Sequence, residues 1–173
     1  MSTKLNVTAT VSDHFHTLRH SGSDRLNRVD IFVMYGLPLI LGGVLVAVNV
    51  HVKGVSAVIA GVSILTGLLF ALVIYVFQLR LQVANDPRVT RGGHLTTLLD
   101  ELFSNVTYAV LVGLITTLVS VVAATGEAPV SDTWGGGINR WWSGILAMVG
   151  LHLVFTVLMC LKRTRSAYEE LTI

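Results

Sequence analysis

The sequence predicts an all-α polytopic membrane protein, with four transmembrane helices and both termini on the cytoplasmic side. Three observations carry that prediction. The chain of 173 residues is 53% hydrophobic and only 13% charged, with a mean hydropathy of +0.71; soluble domains carry about 25% charged residues. Its charges leave four gaps of 21 to 26 residues, between Asp30 and Lys53, Lys53 and Arg80, Glu101 and Glu127, and Arg140 and Lys162. About 20 apolar residues of helix cross a bilayer core. The basic residues divide unevenly among the segments between the gaps, ten on one side and two on the other.

Each element follows from those gaps. The spans run from Ile31 to Val50, Val55 to Leu79, Asn105 to Ala124 and Trp142 to Leu161, within a membrane region covering 31–161. Backbone groups in lipid must be paired within the segment, which selects helix over open sheet. The strict alternation of a transmembrane barrel is absent. Pro38 lacks an N–H and should kink the first helix. The hairpin "HVKG" joins the first two spans. The arm 1–30 holds Lys4, Arg19, Arg25 and Arg28, the middle segment 80–104 holds Arg80, Arg88 and Arg91, and the tail 162–173 holds Lys162, Arg163 and Arg165. Lys53 and Arg140 are alone on the other side, so the positive-inside rule places arm, middle segment and tail in the cytoplasm. The arm has no apolar run of the kind a cleaved signal needs.

The polar segments have their own patterns. "DTWGGGINRWWSG" (132–144) gathers all three tryptophans and three consecutive glycines. At the outer edge of a span, Trp134, Trp141 and Trp142 read as interface anchors, with ring in the apolar edge and N–H in the wet layer. Gly135, Gly136 and Gly137 read as a turn, because no Lys-Ser/Thr pair follows in phosphate-loop order. In the middle segment, "NDPRVTRGG" is a breaker. Leu95, Leu98, Leu99, Leu102, Phe103 and Val106 then recur at helical spacing, opposite Thr96, Thr97, Asp100, Glu101 and Ser104. That amphipathic helix either lies in the interface, extends the third span, or offers a docking face to a soluble partner. The sequons at Asn6 and Asn105 face the cytoplasm in this topology and are not expected to be glycosylated.

Residues able to carry chemistry are sparse. His14, His16 and His20 cluster in the arm, but zinc sites take three or four ligands with further groups hydrogen-bonded to them, and no such motif is present. The spans contain no charged residue; their titratable groups are His152, Tyr35, Tyr75 and Tyr108. A histidine there reads as a helix–helix contact or, alternatively, as a proton relay. Nucleophilic catalysis would need His152 to meet a hydroxyl such as Ser63 or Ser120. No cofactor, metal, enzymatic activity or direct nucleic-acid contact is expected. The single Cys160 forms no internal disulfide.

Small residues at four-residue spacing are abundant: Gly43 and Ala47 in the first helix; Gly61 with Ala57, and Ser63, Gly67 and Ala71, in the second; Ala109, Gly113 and Thr117 in the third. In lipid, such faces let backbones approach closely. They predict a compact bundle, with a homo-oligomer as the other use of the same surfaces.

"SILTGLLFAL", "DELFSNVTYAVLVGL" and "VFTVLMCLKR" together resemble small bacterial four-span membrane proteins, some of which accompany anti-phage defence modules. The architecture is similar to the membrane component of the Kiwa defence system. That resemblance covers roughly two-thirds of the chain, and its polar parts are "NVTY" and "LKR". It implies a bacterial inner-membrane location and a non-enzymatic sensor or membrane-perturbing effector that works with a cytosolic partner. The expected contact surfaces for partner or lipid are Arg25, Arg28, Asp100, Glu101, Lys162, Arg163 and Arg165. The alternative is a small oligomeric channel or transporter.

Overall fold

The computed structural model describes residues 32–85, 93–127 and 136–171. They form an all-α protein of four helices. A π-helical segment, Phe32–Gly36, leads into α1, Leu37–Ala47. Then follow α2, Val55–Asn85, α3, His94–Ala124, and α4, Arg140–Leu171. The last three are long and apolar enough to cross a membrane, whereas Phe32–Ala47 is shorter. Its 16 residues span about 24 Å at 1.5 Å per residue. The expected first span ended at Val50, but α1 ends at Ala47, and Asn49 just beyond it takes a left-handed φ of 62°.

The other three helices exceed the apolar runs. The 31 residues of α2 extend about 46 Å, well beyond a hydrocarbon core of about 30 Å. The amphipathic stretch before Asn105 is the first three turns of α3. Its apolar face is covered by the protein itself: Leu99, Leu102 and Val106 are buried. Asn105, expected at the start of a span, is fully buried inside this helix.

The helices pack in the order α2–α3–α4–α1, so α2 rests on α3 and α1 rests on α4, while α1 and α2 do not pack on each other. The helical bundle that the small residues suggested is therefore arranged as a row. The reason lies in where the close approaches fall. At the α1–α4 crossing, a Cβ on Gly42 would stand 2.8 Å from the Gly144 carbonyl oxygen, and a Cβ on Gly144 would stand 2.8 Å from that of Gly42. At the α2–α3 crossing, Gly113 faces the Thr66 side chain with no room for a Cβ. Thr66 donates its hydroxyl to the Val62 carbonyl at 2.7 Å, which satisfies the polar group inside the apolar contact.

Two apolar clusters fill the row. The larger joins Leu69 and Val76 of α2, Leu102, Val106, Tyr108, Ala109 and Val112 of α3, Leu153 and Cys160 of α4, and Met34. The smaller joins Val55, Ala123, Ile138 and Leu146 at the end where the hairpin 48–54 crosses the bundle.

Candidate functional site

The polar centre of the molecule starts at Pro38. A helical residue donates its N–H to the carbonyl four positions back, and proline has none to donate. The Met34 carbonyl is therefore left for another donor, and His152 of α4 supplies it, with Nδ1 3.0 Å from the oxygen. A carbonyl only accepts, so Nδ1 carries the proton. In the neutral ring Nε2 is then the acceptor, and the Tyr108 hydroxyl of α3 donates to it at 3.0 Å. The Tyr108 oxygen lies 3.4 Å from the hydroxyl of Tyr35. The rings stack on this frame: Tyr35 and His152 have centroids 4.8 Å apart and tilted by 36°, and Tyr108 meets His152 edge-on at 5.9 Å. One imidazole thus ties the π-helical segment, α3 and α4 together.

Three other buried hydroxyls are satisfied locally, whereas the buried Ser104 Oγ has no partner among the described residues. Thr116, Ser120 and Thr156 donate to carbonyls four residues back, at 2.7–2.8 Å. Ser63 is exposed on α2. The hydroxyl that His152 meets is therefore the Tyr108 phenol, where the sequence had suggested Ser63 or Ser120. Tyr75 is 61% exposed on α2, away from the centre.

At the far end, the glycine-rich stretch has a structural task. Gly136 and Gly137 both take positive φ, and a Cβ on Gly137 would stand 2.8 Å from the Val52 carbonyl oxygen. Without it, Ile138 donates its N–H to that oxygen at 2.9 Å. The Val52 N–H donates to Ser143 Oγ at 3.0 Å, and His51 Nδ1 donates to the Ile138 carbonyl at 3.0 Å. The Gly54 N–H donates to Glu127 Oε1 at 3.0 Å. The hairpin 48–54 is strapped across the ends of α3 and α4. Trp142 packs against the smaller cluster. Trp141 is exposed, with the Arg140 guanidinium 5.5 Å from its ring centre. Trp134 lies outside the described residues.

At the opposite end, Arg80 donates to both carboxylate oxygens of Asp100, at 2.6 and 3.1 Å. The carboxylate holds the guanidinium pKa above its ordinary value. Glu101 is half-buried beside it. Lys162 and Arg165 are exposed on α4, which continues through Arg163 to Leu171. Arg25 and Arg28, like His14, His16 and His20, lie outside the described residues. Among the described residues, no three His, Cys, Asp or Glu side chains gather as a metal site would need.

The predicted packing residues divide by helix. Ala109 and Gly113 are buried and Thr117 is half-buried on α3. Gly43, Ala47, Gly61, Ser63, Gly67 and Ala71 are exposed, and a Cβ on Gly43, Gly61 or Gly67 would meet nothing within 4 Å. The contacts inside the chain instead use Gly42, Gly144 and Thr66. The Met34–His152 bond was also not anticipated, although Pro38 four residues after Met34 signalled a free carbonyl. No protein-family model, curated protein or solved structure matches this chain.

Proposed function

We propose that this protein is a non-enzymatic integral membrane subunit with four spans, a sensor or membrane-perturbing effector that acts with a cytosolic partner in bacterial anti-phage defence. One observation carries the reading. The ends of α2, α3 and α4 that hold Arg80, Asp100 and the Lys162–Arg165 stretch run past the apolar segments as continuous helix. A rigid, charged platform joined directly to the spans can pass a displacement in the bilayer to a soluble protein, or the reverse. The charge asymmetry supports a cytoplasmic position for that platform. The same basic residues can hold anionic lipid, at about 1 kcal/mol each near the surface. The defence setting rests on the resemblance of the spans to the four-span proteins named above.

Gentle affinity purification in native lipid, followed by native mass determination, tests this. A stoichiometric soluble partner is the expected result, and charge reversal at Asp100 and Lys162 should release it. Recovery of this chain alone, with growth and phage resistance unaffected by its deletion, counts against the reading.

A second reading is favoured by α2. Its outer face carries exposed Gly61, Ser63, Gly67 and Ala71, and among the described residues nothing stands within 4 Å of a Cβ on Gly61 or Gly67. That face fits a homo-oligomer, and with it a small channel or transporter. Solute flux from purified protein in liposomes, lost together with the oligomer in Gly67→Leu, is its signature. Flux that persists in a verified monomer rules it out.

A further inference from the structure

The seam between α1 and α4 is closed at two points and open between them. At one point a Cβ on Gly42 would stand 2.8 Å from the Gly144 carbonyl oxygen and 3.2 Å from the Met148 Cβ. At the other, His152 holds the Met34 carbonyl at 3.0 Å. Between them lies a pocket of about 210 Å³, lined by Met34, Pro38 and Leu39 on one side and Met148, Val149 and His152 on the other. Its position follows from the chain. The π-helical segment Phe32–Gly36 sets its side chains at a longer repeat than an α-helix does. Pro38 keeps no N–H for Met34. The chain therefore presents no continuous ridge to α4 here. Packed interiors hold few voids larger than a water molecule. An apolar cavity of about 150 Å³ already stays dry and accepts benzene.

We infer that this pocket binds the end of a lipid acyl chain, taken sideways from the bilayer past Leu39. Three observations select that occupant. The first is depth. The uncharged run 141–161 has its middle at Leu151, next to His152, and the run 31–52 has its middle at Leu41 and Gly42, close to Leu39. With these runs across a bilayer, the pocket lies near the midplane, where acyl chains end. The second is continuity with the lipid-facing surface. Leu39 at the mouth is 65% exposed, and Ile40 beside it is exposed too, so the pocket opens from the apolar outside of the helix row. The third is size and chemistry. A helix is about 10–12 Å across with its side chains, too wide for this space. A buried water needs about two to four polar partners, whereas both ring nitrogens of His152 are already bonded, to Met34 and Tyr108. A carbon chain asks for no such partner. Lipid tails are as apolar as leucine, so no hydrophobic gain draws the chain in. The gain is dispersion: atoms that line a void lack neighbours on one side, and a chain end supplies them, with the flexible Met148 adapting to its shape. The inference requires only that α1 and α4 lie in a bilayer. It goes beyond the partner-coupled and channel roles above and does not depend on either.

The test uses the full chain in phosphatidylcholine nanodiscs holding one copy each, so that no second chain can enter the pocket. A trace of the lipid carries a photoactivatable diazirine, either at the end of one acyl chain or next to its carboxyl group. Adducts are located by peptide mass spectrometry. Leu68 on α2 and Leu114 on α3 are exposed near the middle of their own uncharged runs, and they report lipid that merely surrounds the protein. Met148 and Val149 are half-buried, so surrounding lipid alone should label them less than those two leucines. Pocket binding reverses the order. The chain-end probe should mark Met148 and Val149 severalfold more than Leu68 or Leu114, and the carboxyl-end probe should not. Val149→Phe fills the pocket and should remove the excess at Met148 while leaving Leu68 and Leu114 as they were. Labelling that simply follows exposure overturns the inference, and so does an excess that survives in a folded Val149→Phe. Should Val149→Phe fail to fold, Leu39→Trp at the exposed mouth decides: an undiminished excess at Met148 in that variant overturns the inference as well.

Discussion

α2 and α3 are both 31 residues long, both apolar, and both marked by small residues four apart, yet they stand in different surroundings. Of its most apolar window, α3 buries 44% and α2 only 11%. The difference lies in the polar residues. Asn105, Thr116 and Ser120 of α3 are wholly inaccessible and fall on the face that meets its neighbours. Polar groups in hydrocarbon seek protein or backbone partners, so their phase points α3 inward. On α2 the polar residue that selects the buried side is Thr66, whereas Ser63, three residues earlier, lies on the outside. Small-residue spacing marks a surface that can be approached closely. It does not say whether the neighbour is in the same chain.

The comparison can be broken at its tightest points. Gly144→Leu should have the largest effect, because its side chain must displace the Gly42 backbone and Val46. Overpacking of a close contact typically costs about 1–3 kcal/mol, at times more, and here it should separate α1 from α4. Denaturant titration in mixed micelles measures the loss. Next, Gly113→Leu against Gly67→Leu sets the two helices side by side. The first should destabilise the monomer through Thr66 by a similar amount. The second faces open space and should stay within about 0.5 kcal/mol, leaving any change to oligomer mass. Equal losses in the two variants would mean that α2 is packed within the chain on both sides.

The end strap gives a smaller contrast. Gly137→Ala places a Cβ against the Val52 carbonyl at a φ of +114°, and a conformation of that kind costs about 1–3 kcal/mol. Ser143→Ala removes the acceptor of the Val52 N–H and should cost about 1–3 kcal/mol if that N–H is left dry. Hydrogen exchange of the 50–54 amides should rise in both variants. The smallest effect is expected at the exposed platform: Asp100→Asn breaks the pair with Arg80, and added salt should erase what difference there is. A large, salt-independent loss would show that the platform is part of the folded core.

Much of this was legible in the residues. The uncharged gaps located α2, the membrane part of α3 and α4, and the 3.6-residue pattern from Leu95 to Val106 disclosed the inner part of α3. The boundaries were less legible, because α2, α3 and α4 continue past their apolar runs, where backbone hydrogen bonding favours helix whether or not lipid surrounds it. The polar centre was half visible. His152, Tyr35 and Tyr108 stood out as the titratable groups of the spans, but their meeting required α1, α3 and α4 to be adjacent at one depth. The turn at Gly136 and Gly137 was readable as a turn; its partner Val52, more than eighty residues earlier, was not.

The sequence by itself determined that this chain is helical and apolar enough for a membrane, since hydropathy and charge spacing are one-dimensional properties of the chain. It also marked Pro38 as the place where a carbonyl loses its donor. Only the tertiary structure decided which glycines touch, that the helices form a row ending in α1 and α2, and that His152 takes up the Met34 carbonyl. The physical reason is that close packing and hydrogen bonding depend on distances between segments far apart in the chain, and a repeat of four residues presents the same pattern whichever way its helix turns.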